Sequence, residues 1–174
     1  MSISRYRYSG DRTVLSYEEM NGYCNRAIKL NTNCKLTLIL MQVNDMEDYM
    51  KNEGSGFVQD LLQSVQDTVR RHVGHRGIVC PLQPNLMSVV VQDINSDIKL
   101  RAFIESLRSR IAWNYRLIDP KYEISFSFGV ACYPENGMDM RIVHRKLVKA
   151  LQMAQEKHAN CYVIYKEHLH GELS

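Results

Sequence analysis

The chain has 174 residues, 45% of them hydrophobic and 24% charged, which fits one globular domain with a sizeable core and excludes wholesale disorder. A formal net charge of +3 is too mild to point to nucleic acid or a membrane surface, and no apolar run approaches the roughly 20 residues that a spanning helix needs. Five cysteines, an odd number at irregular spacings, suggest reduced thiols in a cytoplasmic domain rather than a disulfide framework.

Residues 1–13 carry no periodicity and read as a flexible lead-in, too polar and basic for a signal peptide. Ser16 is a candidate N-cap, with Glu19 three residues on in a capping-box arrangement. The helix it starts runs to Leu30, with Met20, Tyr23 and Ala27 at helical spacing, and Asn31, Thr32 and Asn33 end it. Residues 36–43 (LTLILMQV) are a dense apolar run, the mark of a strand in a sheet covered on both faces. A polar turn region follows over residues 44–56, with room for a short helical turn. Phe57, Leu61, Leu62, Val65, Thr68 and Val69 then give a second helix that ends near Gly74.

Residues 77–82 and 86–92 read as two strands of a hairpin, with Gln83, Pro84 and Asn85 between them. A third helix spans residues 98–115, with Phe103, Leu107 and Ile111 facing inward and Trp113 a further inward candidate. Residues 122–132 alternate as a strand, 140–158 form the last long helix, and 161–165 a closing strand. Strands alternating with helices around one hairpin predict an α/β sheet covered by helices, with an embedded β-α-β-β-α-β unit of ferredoxin-like order.

Several side-chain groups invite functional readings. His72 and His75 lie near Cys80 but match no zinc spacing, and read as a solvated helix end. Arg70, Arg71, His72 and Arg76 cluster where a helix ends; cations there suit the helix dipole, and an anion site is the alternative. Arg101, Arg108 and Arg110 read as a solvated helix face. Gly54-Ser55-Gly56 alone is too weak to mark a phosphate-cradling loop.

Four local strings, in this order, resemble the GGDEF (diguanylate cyclase) family. Residues 38–46 (LILMQVNDM) stand where the family has an apolar strand followed by D-x-D-x-F. Residues 54–62 (GSGFVQDLL) stand at G-H-x-x-G-D-x-x-L. Ser127-Phe128-Gly129-Val130-Ala131, followed by Tyr133-Pro134, match S-x-G-[IV]-A. Residues 150–160 (ALQMAQEKHAN) follow A-L-Y-x-A-K-x-x-G-x-N. The resemblance covers roughly residues 15–165. It implies a GGDEF/nucleotidyl cyclase-like fold over residues 14–166, with 167–174 a tail or a linker to a following domain.

The resemblance also locates departures. The five signature residues fall on Gln83, Pro84, Asn85, Leu86 and Met87, and none matches. The family holds two Mg²⁺ ions on the first Asp of D-x-D and an acidic signature residue; those positions are Gln42 and Leu86, which bring no negative charge to a hard cation. Family positions that contact guanine fall on Met50 and Gln59, and the phosphate-contacting lysine of the last helix falls on Gln155. The family's inhibitory product site, R-x-x-D, falls on Gly74 and Gly77. Asp45, Glu47 and Asp48 are the nearby carboxylates that could stand in for a lost ligand.

These departures imply a domain that is not an enzyme and needs no cofactor. It would act as a regulatory or interaction module in bacterial signalling, its partner another domain of the same protein or a second copy. The alternative is a module that binds GTP or cyclic di-GMP without turnover; an active cyclase with unusual ligands ranks third.

Overall fold

The structure is a computed structural model that describes residues 17–94, 96–118, 124–157 and 160–171. The proposed lead-in, Ser16, the first residues of the predicted fourth strand and the last residues of the tail lie outside that set.

The apolar run becomes β1 (Leu36–Val43), the middle strand of a five-stranded sheet ordered β2-β3-β1-β4-β5. The others are β2 (Gly77–Gln83), β3 (Leu86–Gln92), β4 (Phe126–Tyr133) and β5 (Cys161–Ile164). β1 pairs antiparallel with β3 and with β4, β2 pairs antiparallel with β3, and β5 lies parallel to β4. The expected ferredoxin-like unit is therefore present, extended by β5 at one edge.

Strand periodicity divides β1 between two cores. Ile39, Met41 and Val43 pack under α3 (Ser55–Val73) and α4 (Asp97–Ile118), while Leu36, Leu38 and Leu40 pack under α1 (Tyr17–Leu30) and α5 (Met140–Lys157). Both faces are covered, so nearly every residue of the strand is apolar. Gly129 on β4 makes close seating of α5 possible: a Cβ there would lie 2.4 Å from the Leu151 nitrogen and 2.7 Å from the Leu147 carbonyl oxygen. All five cysteines are free, and burial pushes the Cys24 and Cys80 thiols up to about 12.

Three sequence expectations need correction. The polar region after β1 holds a full helix, α2 (Met46–Glu53), followed at once by α3. Gly54, at φ 87°, separates the two helices, a backbone angle that glycine adopts without strain. Trp113 is 65% exposed. It sits two residues past buried Ile111, which at about 100° per residue places it on the opposite side of α4; Ile104 and Tyr115 complete the buried stripe. His72 is not solvated but buried, its ring 4.6 Å from that of Phe103.

Candidate functional site: a signature cleft and a basic pocket

Two cavities lie on the described surface where function is expected. The first opens at the C-terminal end of β1. Gln83 pairs with Leu86, so the hairpin turn is the two residues Pro84 and Asn85 rather than three. Proline holds φ near −65°, which closes the usual two-residue hairpin turns to this one; β2 carries a register shift between Pro81 and Gln83 beside it. The turn is bonded to β1: the Val43 N–H donates to the Asn85 carbonyl at 2.9 Å, and Asn85 Nδ2 donates to the Val43 carbonyl at 3.3 Å.

Gln42 and Leu86 are direct register partners across β1 and β3. Gln155, from α5, donates through Nε2 to Gln42 Oε1, so a neutral amide bridge links the strand to the helix. Asn44 donates to Ser125 Oγ at 2.9 Å and to Ser127 Oγ at 3.0 Å, holding β1 to the start of β4. Around these groups is an open cavity of about 480 Å³ that also takes in Asp45, Glu47 and Asp48. Asp45 reaches it from a left-handed conformation, φ 62°, at the start of α2.

The structure thus brings together Gln42, Asn85 and Gln155 of the sequence-predicted positions. Met50, 48% exposed, and Gln59 lie outside that lining. Met87 is buried in the core under α3 and α4, Leu86 is half-buried against the α1/α5 core, and neither lines the cavity. Mg²⁺ is the ion that the resemblance implies, and the donors do not fit it. Gln42 Oε1 is already an acceptor, Leu86 offers hydrocarbon, and among the described residues no three His, Cys, Asp or Glu side chains form a group that could hold a metal.

The second cavity, about 740 Å³, lies between the end of α3 and the outer side of α4, beside Gly74 and Gly77. Its lining includes His72, His75, Arg76, Lys99 and Arg110, with Asp93 its one carboxylate. Arg76 donates to the His72 carbonyl at 2.9 Å and lies over the Phe103 ring at 5.0 Å. The rest of the predicted basic cluster is engaged elsewhere: Arg70 pairs with Asp67, and Arg71 donates to the Asp67 carbonyl at 3.3 Å. The sequence offers an anion site at His72 and Arg76 only as the alternative reading and leaves out Lys99 and Arg110, which come from a helix more than 20 residues downstream of Arg76. Their helical spacing, eleven residues apart on one face, was the available signal.

The family profile described as diguanylate cyclase, GGDEF domain, matches residues 17–161, and the chain belongs to that family. The GGEEF domain of a diguanylate cyclase from Vibrio cholerae has a similar structure, with TM-score 0.75 at 14% identity over 89% of this chain and 99% of that one. A diguanylate cyclase/phosphodiesterase from Caldicellulosiruptor saccharolyticus superposes with TM-score 0.73 at 19% identity, over 90% of this chain and 92% of that one. The GGDEF domain of DgcB from Caulobacter crescentus, solved with cyclic di-GMP, gives 0.73 at 13% identity over 91% and 98%. No curated protein matches the chain closely enough to carry an argument.

The expectation that the chain is not an enzyme is overturned by this membership, because the family it belongs to is one of enzymes. That expectation rested on single positions along the strand and hairpin. In three dimensions Gln42, Asn85 and Gln155 border an open cleft whose lining also includes Asp45, Glu47 and Asp48. Among the described residues no helix is long and apolar enough to cross a membrane.

Proposed function

We propose that this GGDEF domain acts in cyclic di-GMP signalling as a regulatory module that responds to a guanine nucleotide, with cyclic di-GMP held in the basic pocket. The carrying observation is the convergence of Arg76, Lys99 and Arg110 on one cavity beside Gly74 and Gly77. Those glycines stand where the family resemblance places an inhibitory product site, and the cations come from other positions. Three permanent positive charges facing one carboxylate suit a ligand with two phosphodiester groups, and guanidinium groups can also stack on a base. The GGDEF domain of DgcB, solved with cyclic di-GMP, lends support. The bound state would be passed to another domain of the same protein or to a second copy.

Isothermal calorimetry with cyclic di-GMP tests this directly. Binding is expected, and it weakens in Arg76→Ala. Absence of heat at millimolar nucleotide would sink the proposal. A second reading, cyclase activity, is favoured by the open cleft and by family membership. Chromatography of GTP incubated with the domain and Mg²⁺ measures it in the same preparation.

A further inference from the structure

The basic pocket contains a titratable group that ligand binding by permanent cations leaves unused. His72 is buried in the pocket wall, and its Nε2 lies 3.2 Å from the Phe103 carbonyl oxygen. A carbonyl can only accept, so the hydrogen of the neutral ring sits on Nε2 and Nδ1 is bare. Nδ1 is therefore the atom that a second proton would occupy.

The groups around His72 decide when that proton arrives. From the turn after α3 come His75 and Arg76, from α4 Lys99 and Arg110, and from the segment after β3 Asp93. Burial holds the imidazole below its ordinary value, the bond to Phe103 opposes this, and Arg110 and Arg76 lower it further. In the free protein an imidazolium here would be a third cation beside two guanidinium groups. A bound anion reverses that field while leaving the ring and its carbonyl partner in place.

We infer that a phosphate-bearing ligand in this pocket draws a proton from solvent onto Nδ1 of His72, so that the site binds more tightly as its surroundings acidify. The inference rests on the nucleotide reading of the pocket. By linkage, proton uptake on binding and tighter binding at lower pH are one coupling seen from two sides. Affinity rises as pH falls from the bound-state to the free-state pKa of His72, by up to about tenfold per pH unit, and is level outside that window.

The test uses the unmodified domain and cyclic di-GMP. Calorimetry near pH 6 in two buffers of different ionisation enthalpy reports protons taken up per ligand, and proton NMR of the His72 ring follows its titration with and without nucleotide. Net uptake, with the His72 titration moved to higher pH by ligand, is expected. His72→Gln keeps an amide donor for the Phe103 carbonyl and is expected to bind while losing the uptake; His75→Gln is expected to keep it. Binding without uptake, or an unmoved His72 titration, overturns the coupling and leaves the nucleotide reading intact. Uptake that disappears with His75→Gln instead overturns the assignment to His72. No binding at all overturns the nucleotide reading and the coupling with it.

Discussion

The signature cleft and the basic pocket use opposite chemistry. The cleft is built of amides and carboxylates: Gln42, Asn44, Asn85 and Gln155 around Asp45, Glu47 and Asp48, with no lysine or arginine in its lining. The pocket carries Arg76, Lys99 and Arg110 against Asp93 alone. A polyphosphate entering the cleft without a metal meets like charge, whereas a phosphodiester entering the pocket meets the opposite charge. The pocket is the larger cavity, about 740 Å³ against about 480 Å³, but the sign of the local field is what decides which ligand each can take. Regulatory binding and GTP turnover are therefore separable experiments on one small domain.

The largest expected effect breaks the comparison outright if it fails. Arg76→Ala combined with Arg110→Ala removes two charge-assisted contacts and should weaken cyclic di-GMP binding at least about a hundredfold, at about 1.5–3 kcal/mol for each. Gln42→Ala, at the other site, should change that affinity less than about twofold. Equal losses from both variants in a calorimetric titration would place the nucleotide in the cleft instead.

Gly129→Ala perturbs the cleft alone. The added methyl meets the backbone of α5 and should cost about 1–3 kcal/mol in a urea unfolding curve. As α5 moves, the Gln155–Gln42 bridge should open, while Arg76, Lys99 and Arg110 stay on the far elements. A variant as stable as the parent would show that α5 is not seated against this glycine.

A sharper view of the cleft comes from charge. Gln42→Asp with Leu86→Glu sets two carboxylates on register partners of β1 and β3. Mg²⁺ affinity should rise about tenfold or more in a metal titration, since a hard cation gains anionic oxygens. An unchanged Mg²⁺ affinity would mean that the backbone at the Pro84-Asn85 turn, and not side-chain charge, decides metal binding.

The smallest effect is on stability. Burial lowers the affinity of both His72 and His144 for protons in the folded chain. The unfolded chain then binds more protons, so stability is fully present above the ordinary histidine value near 6.5 and is lost as pH falls through the two folded values. Urea midpoints should drop between pH 7.5 and pH 5.5. A midpoint that holds or rises over that range contradicts the neutral, buried state of these rings.

Much of the fold was legible because hydrophobic periodicity is a local signal. The run at residues 36–43 and the string Ser127–Phe128–Gly129–Val130–Ala131 carry their burial in composition, and both became central strands. Trp113 misled because an aromatic residue invites burial, although its angle around α4 opposes Ile111. Helix α2 was blurred by a polar composition in which Tyr49 is the one buried residue. His72 was missed because its burial is made by Phe103, thirty-one residues away.

The amino-acid order by itself determined the alternation of helices and strands, the family, and the replacement of charged residues by amides at Gln42 and Gln155. These are properties of short windows, where side-chain volume and period act without help. Tertiary structure decided which charges face one another. It set Asp45, Glu47 and Asp48 beside Gln42 and Asn85, and drew Arg76 together with Lys99 and Arg110 around His72. Electrostatic energy depends on distance through space, and residues far apart along the chain become neighbours only when the sheet and its helices close.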